Sequence, residues 1–285
     1  MHMHSYTEFS SGHGYLESPR WKDGKLWLSD FFRTHVITIS EDGVIDRFLD
    51  VPQSPSGLGF LPDGSVLVVS QYDKRVLRVE PGGEVREHAD LSAIAEGITN
   101  DMFVTDEGHA YVGNFGFDLG NEDPRTTHLA HVRPDGTVTE VPGEVMFPNG
   151  AGLSPDGSML MLAETFAHKI SAYDVQPDGS LTNLRTWAEL PETHSPDGMA
   201  VDSDGGVWYA NALTEGPESG FYRVEEGGTI TDAILVPDAW GVACVFGGQD
   251  KDVLYLVCNA TTLADFGQGR SEGSVRVANV GRRGA

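Results

Sequence analysis

One recurring motif restricts the fold of this chain more than any other feature. Gly57–Val69, Gly150–Leu162 and Gly198–Ala210 each read as a short strand, a Pro-Asp-Gly or Ser-Asp-Gly turn, and a second strand. The chemistry suits a tight turn: Asp caps it through its own side chain and Gly takes the positive φ. Three drifted copies turn at Gly24, Gly108 and Gly248. The copies start roughly 40 to 50 residues apart, the period of a four-stranded propeller blade. Further strand-like runs follow the first pair, such as Val76–Val79 with Glu84–His88 and Ile170–Tyr173 with Leu181–Trp187. The pattern predicts an all-β chain: a six-bladed β-propeller with four-stranded blades around a central channel, spanning residues 1–285 as one domain. The N-terminal run Tyr6–Ser10 is expected to close the last blade, which removes exposed strand edges. No long amphipathic helix is visible, and Leu91–Ala95 allows one short turn. The polar insert Asp118–Thr127 reads as a loop over one mouth.

Composition agrees. The 35 glycines are about twice the number average usage gives, as many tight turns require. Lys and Arg number 19 against 43 Asp and Glu, a formal net charge of −24. That balance argues against nucleic-acid partners and anionic membrane surfaces, both of which need basic faces. It reads as a solvated acidic surface. No basic segment followed by an apolar core opens the chain, so a soluble, cytoplasmic protein is expected, with its oligomeric state left open. Met1-His2-Met3-His4 reads as a disordered end. Cys244 and Cys258 lie in apolar strand runs and read as buried free thiols.

The repeat also serves as a ruler. Eight residues before the turn glycine stand Ser56, Asn100, Asn149, Asp197 and Trp240; in the first copy Glu17 stands seven before. The innermost strand of each blade lines the channel, so these six positions are expected to converge on one ring at its mouth. Glu17, Asn100, Asn149 and Asp197 supply oxygen ligands of the kind a hard divalent cation takes. No Cys or His falls on the ring, which argues against a thiolate zinc site. Asn and Asp before Gly are also ordinary turn residues. Glu17, followed by Ser-Pro, is not.

At these residues the sequence resembles the family of senescence marker protein, gluconolactonase and luciferin-regenerating enzyme. The matching pieces are Glu17-Ser-Pro-Arg-Trp21, Asn100-Asp101, Phe147-Pro-Asn-Gly150 and Pro196-Asp-Gly198, in order and at blade spacing. Tyr111-Val-Gly-Asn-Phe-Gly-Phe117 adds a less specific match. The resemblance implies one catalytic divalent metal ion, Ca²⁺ or Zn²⁺ foremost, with Mn²⁺ or Mg²⁺ as alternatives. Members are mostly lactonases, and the fold relative diisopropyl fluorophosphatase cleaves phosphorus–fluorine bonds. By the family pattern Glu17, Asn149 and Asp197 bind metal directly. Asn100 binds it directly or through water and helps hold a small-molecule substrate. Asp197 also activates the attacking water. Sugar-lactone members often carry Arg two residues before the Asn; here the residue is Ile98. Ile98 and Trp240 therefore predict a lactone or ester less polar than a sugar lactone. Asn114, Phe115, Phe147 and Glu164, near the same mouth, complete the predicted substrate-binding set, with Asn211 as a further supporting residue. Two other readings stay open: a different metal-assisted reaction on the scaffold, such as phosphotriester cleavage, isomerisation or ring formation, and a binding propeller with a structural ion.

Overall fold

The computed structural model describes residues 1–285. Six antiparallel sheets stand around one axis, each with its innermost strand first in sequence except for the closing strand. The innermost strands are Leu16–Lys22, Pro55–Phe60, Thr99–Val104, Pro148–Leu153, Pro196–Val201 and Trp240–Gly247. Each touches the next round the ring, and the last returns to the first. The architecture is the expected six-bladed β-propeller.

Apolar alternation along the strands fills the spaces between neighbouring blades. Met161, Ala163 and Ile170 of blade 4 pack with Val207, Tyr209 and Val224 of blade 5. Trp208 and Phe221 of blade 5 pack with Cys244, Leu254 and Leu256 of blade 6. Both cysteines are buried and unpaired, as expected. Burial raises both thiols, Cys258 to about 12, so neither forms a nucleophilic thiolate.

Thr7–His13 pairs with Glu272–Ala278 and completes blade 6. The chain start departs from expectation. His2–Met3 is not a loose end but a fifth strand, parallel to Ile230–Leu235 of blade 5. His4 Nε2 lies 2.8 Å from Asp232 Oδ1, which anchors it. The first residues thus bridge two blades before closing the ring. The only helical turns are Thr165–Ala167 and Leu263–Phe266, and no helix is long and apolar enough to cross a membrane.

Beside this clasp lies the most buried ion pair. Arg223 Nε donates to Asp202 Oδ2 at 2.6 Å, with side-chain exposures of 2% and 0%. Asp202 also accepts from the backbone of Asp204 and Gly206, so its charge is well solvated by donors. Breaking such a pair from one side strands the other charge in a dry interior. Asp202→Ala is therefore expected to cost about 3–5 kcal/mol in urea unfolding.

A second, part-buried polar pair is expected to make stability acid-sensitive. His131 stacks on Tyr111, and its Nε2 lies 3.0 Å from His109 Nδ1. Burial, then the neighbouring His109, pushes His131 down to about 4. The unfolded chain takes up that proton near 6.5, so the neutral folded form is favoured fully above 6.5 and loses ground as pH falls towards 4. In thermal melts His131→Gln should fall less steeply with acid over that window than the parent protein.

Candidate active site in the channel

The inner strands share a local distortion that builds the site. In all six the register with the second strand slips immediately after the strand start, between Glu17 and Arg20, Pro55 and Leu58, Thr99 and Met102, Pro148 and Ala151, Pro196 and Met199, and Gly241 and Ala243. A bulge bends the strand and re-aims the side chain within it. The second residue of each strand sits at this bulge: Glu17, Ser56, Asn100, Asn149, Asp197 and Gly241. Four predicted ligands and Ser56 therefore share one structural position.

Trp240 does not. It pairs with Asn259 as the first residue of its strand, matching Leu16 opposite Asp30 and Pro196 opposite Asn211. The ring-to-turn spacing is seven in blade 6, as in blade 1, so counting eight from Gly248 overshoots by one residue. Trp240 is 1% exposed and packs into the hydrophobic cluster with Tyr15, Leu16 and Val242. The sixth ring member is Gly241, and the expectation that Trp240 lies on the ring is corrected.

Asn114, Glu164 and Asn211 have structural partners. They end the second strands, in line with Asp30 and Asn259, and they hold loops in place. Asp30 accepts from Gly14 N, Asn114 from Gly116 N and Thr127 Oγ1, Glu164 from Met146 N, and Asn211 from Ser195 N. Glu164 is further occupied by Ser171 Oγ and by Lys169 Nζ at 3.3 Å. Their polar atoms carry these hydrogen bonds within the fold.

Asn149-Gly150 and Asp197-Gly198 are not turns. Their glycines lie inside strands because neighbouring inner strands approach too closely for a side chain. A Cβ on Gly150 would sit 2.6 Å from Met199 N, and one on Gly198 would sit 2.2 Å from Ala243 Cβ. Gly57 has the same constraint against Met102. At the equivalent place blade 1 has Ser18, held at a left-handed φ of 51°, and blade 3 has Asp101.

The ring surrounds a cavity of about 10 Å³, lined by Glu17, Ser18, Asp101, Asn149 and Asp197, with Gly198, Val242 and Ala243. That is room for one water-sized particle. Asp101 is the residue that motif spacing alone did not single out; its signal is a carboxylate where three other copies carry Gly. Asn100 lies beside the cavity, with Nδ2 donating to Pro148 O at 3.3 Å. Asn149 Nδ2 donates to Thr165 Oγ1 at 3.3 Å. Glu17 Oε2 accepts from Ser56 Oγ at 3.1 Å. Loss of hydration, then the charge of Asp101, raises Glu17 to about 7. Asp197 is raised well above the carboxylate range by loss of hydration, then by Glu17 and Asp101. No cationic side chain touches either group; the nearby Arg20 is paired with Asp101 at 2.8 Å. Three carboxylates and one guanidinium leave a formal surplus of two negative charges, and the oxygen-bearing side chains that line the cavity belong to Glu17, Ser18, Asp101, Asn149 and Asp197, with Asn100 adjacent in sequence to Asp101. This donor set suits a hard divalent ion.

Aromatic loops flank the same mouth. Phe147 is 5% exposed and stacks on the half-buried Phe115 at 4.3 Å, with Phe117 and Phe166 around it. Opposite, Phe31, Phe32 and Tyr15 gather round Phe266. Ile98 is half-buried, its carbonyl bonded to Phe115 N.

Fold and site together define a six-bladed propeller with a carboxylate-bearing channel. The chain belongs to the SMP-30/gluconolactonase/LRE-like family, whose model matches residues 16–260. It is 30% identical over 265 residues to the pentonolactonase of Haloferax volcanii, covering 88% of this chain and 84% of that protein. An L-arabinolactonase from Azospirillum brasilense is 33% identical over 118 residues, or 41% of this chain and 37% of that protein. A luciferin-regenerating enzyme structure superposes with a TM-score of 0.81 at 18% identity, covering 96% of this chain and 94% of that one.

Gly198→Ala tests the close approach next to Asp197. It should cost about 3 kcal/mol, the upper end for overpacking, because a backbone must move. Gly82→Ala, with open space around it, serves as the near-neutral control in the same denaturant titration.

Proposed function

We propose that this protein is a divalent-cation-dependent lactone hydrolase whose site is the channel ring. The observation that carries the reading is the pairing of Glu17 with Asp197 around a water-sized cavity, without a cationic side chain on either. The lactonase names of the sequence relatives agree with it. Glu17, Asn149 and Asp197 would hold the cation, and Asn100 would hold it or the substrate. A bound Ca²⁺, Zn²⁺, Mn²⁺ or Mg²⁺ supplies Lewis-acid polarisation of the lactone carbonyl. Ser56 orients Glu17, which keeps one of its oxygens directed. Asp197 would accept the proton of the attacking water, with Asn149 beside it on the cavity wall.

For the substrate we favour a lactone less polar than a sugar lactone. Ile98 and the Phe115–Phe147 wall support this, whereas Trp240, packed in the core, no longer does. The competing reading is a sugar lactone, favoured by relatives named pentonolactonase and L-arabinolactonase.

Chelation should abolish lactone hydrolysis, and one of the four ions should restore it. Asp197→Asn should lower kcat by about 10²–10⁴-fold without unfolding the protein. Full activity after EDTA treatment and dialysis would sink the cation requirement. In the same assay, a panel of aliphatic, aromatic and sugar lactones ranks kcat/KM. A clear preference for the sugar lactones rejects the less polar substrate, and Ile98→Arg should shift the ranking towards them.

A further inference from the structure

Arg20 reaches across three blades inside the channel wall. From blade 1 its Nε donates to Leu58 O of blade 2 at 2.9 Å, and Nη1 donates to Pro19 O at 2.8 Å. Its Nη2 donates to Asp101 Oδ1 at 2.8 Å and to Met102 O, both of blade 3. Asp101 Oδ1 also accepts from Ser18 Oγ at 2.9 Å and from Met102 N at 2.8 Å. That oxygen is saturated, and no protein hydrogen bond reaches Oδ2. Asp101 thus lines the cavity of Glu17 and Asp197 while its other face is locked to a fixed guanidinium.

We propose that Arg20 and Asp101 form a built-in charge regulator for the channel, trimming its three carboxylates to the surplus that one divalent ion neutralises. In this proposal both are positioning residues: Arg20, Ser18 and Met102 hold Asp101 through Oδ1, and its charge acts on the ion without a bond to it. The inference rests on the cation-binding reading above. A mechanical role is the competing account, since four guanidinium hydrogen bonds staple three inner strands. The two accounts differ in what happens when charge and hydrogen bonding are changed separately. Asp101→Asn keeps an acceptor for Arg20 and removes one negative charge. Arg20→Met removes the positive charge and every staple. The double variant loses the staples but restores the original surplus.

The experiment is calorimetric titration of the chelator-stripped, full-length proteins with Ca²⁺ and with Mn²⁺, alongside thermal melts in chelator. Under the charge account Asp101→Asn binds the ion about tenfold more weakly or worse, a field effect of a nearby unit charge. Arg20→Met binds at least as tightly as the parent, or takes up a second ion. The double variant returns to within about threefold of the parent even where its melting point is lower. The proposal is overturned if Asp101→Asn leaves affinity unchanged, or if the double variant binds more weakly than both single ones. Should Arg20→Met not fold, the Asp101→Asn titration decides alone. A parent protein that binds none of Ca²⁺, Mg²⁺, Mn²⁺ and Zn²⁺ overturns the cation site itself, a result separate from either pattern among the variants.

Discussion

At the axis of this molecule six strands must share a narrow ring. Gly57, Gly150 and Gly198 have no room for a Cβ because the next strand's backbone or β-carbon occupies that place. In blades 2, 4 and 5 this approach coincides with the bulge that all six inner strands share, and the residue before each glycine sits at that bulge. Ring closure and site construction are therefore one constraint. The glycines that follow Asn149 and Asp197 let the strands approach, and the residues before them inherit a view of the channel.

That geometry has an electrostatic consequence. It forces Glu17 and Asp197 to share a cavity that admits little water, and burial alone disfavours both charges. A protein can relieve such a pair by protonation, by a cationic side chain or by a metal ion. Here the available cationic side chain, Arg20, is spent on Asp101. The relief is left to a proton or an ion, and the proposed cation-dependent reading takes the second route.

Much of this was legible in the sequence, because repeats convert spacing into symmetry. Counting from one turn glycine found five of the six ring positions. It failed in blade 6, where the ring-to-turn distance is seven and Trp240 was read in place of Gly241. A one-residue slip in a strand exchanges channel for core, so the error also removed one of the two reasons for expecting a less polar substrate. Asn114 and Glu164 are a different case. Polar residues at strand ends near a mouth have the right composition for binding, but only the fold shows that Gly116, Thr127 and Met146 already use them. The Arg20–Asp101 pair joins residues 81 positions apart across three blades, and no local pattern signals such a contact.

The site divides into two parts with different freedom to change. Its floor consists of strand residues whose backbones are fixed on both sides, so Glu17, Asn149 and Asp197 stay in register as long as the ring closes. Its rim consists of loop residues: Phe31 and Phe32, Phe115 and Phe117, Phe147, Phe166, and Phe266 on the short turn Leu263–Phe266. Phe266 lies outside the region matched by the family model, yet it packs over Trp240 and Phe31 at the mouth. Exposed loops tolerate substitution more readily than the strands that carry them. The floor can therefore keep one chemistry while the rim selects what reaches it.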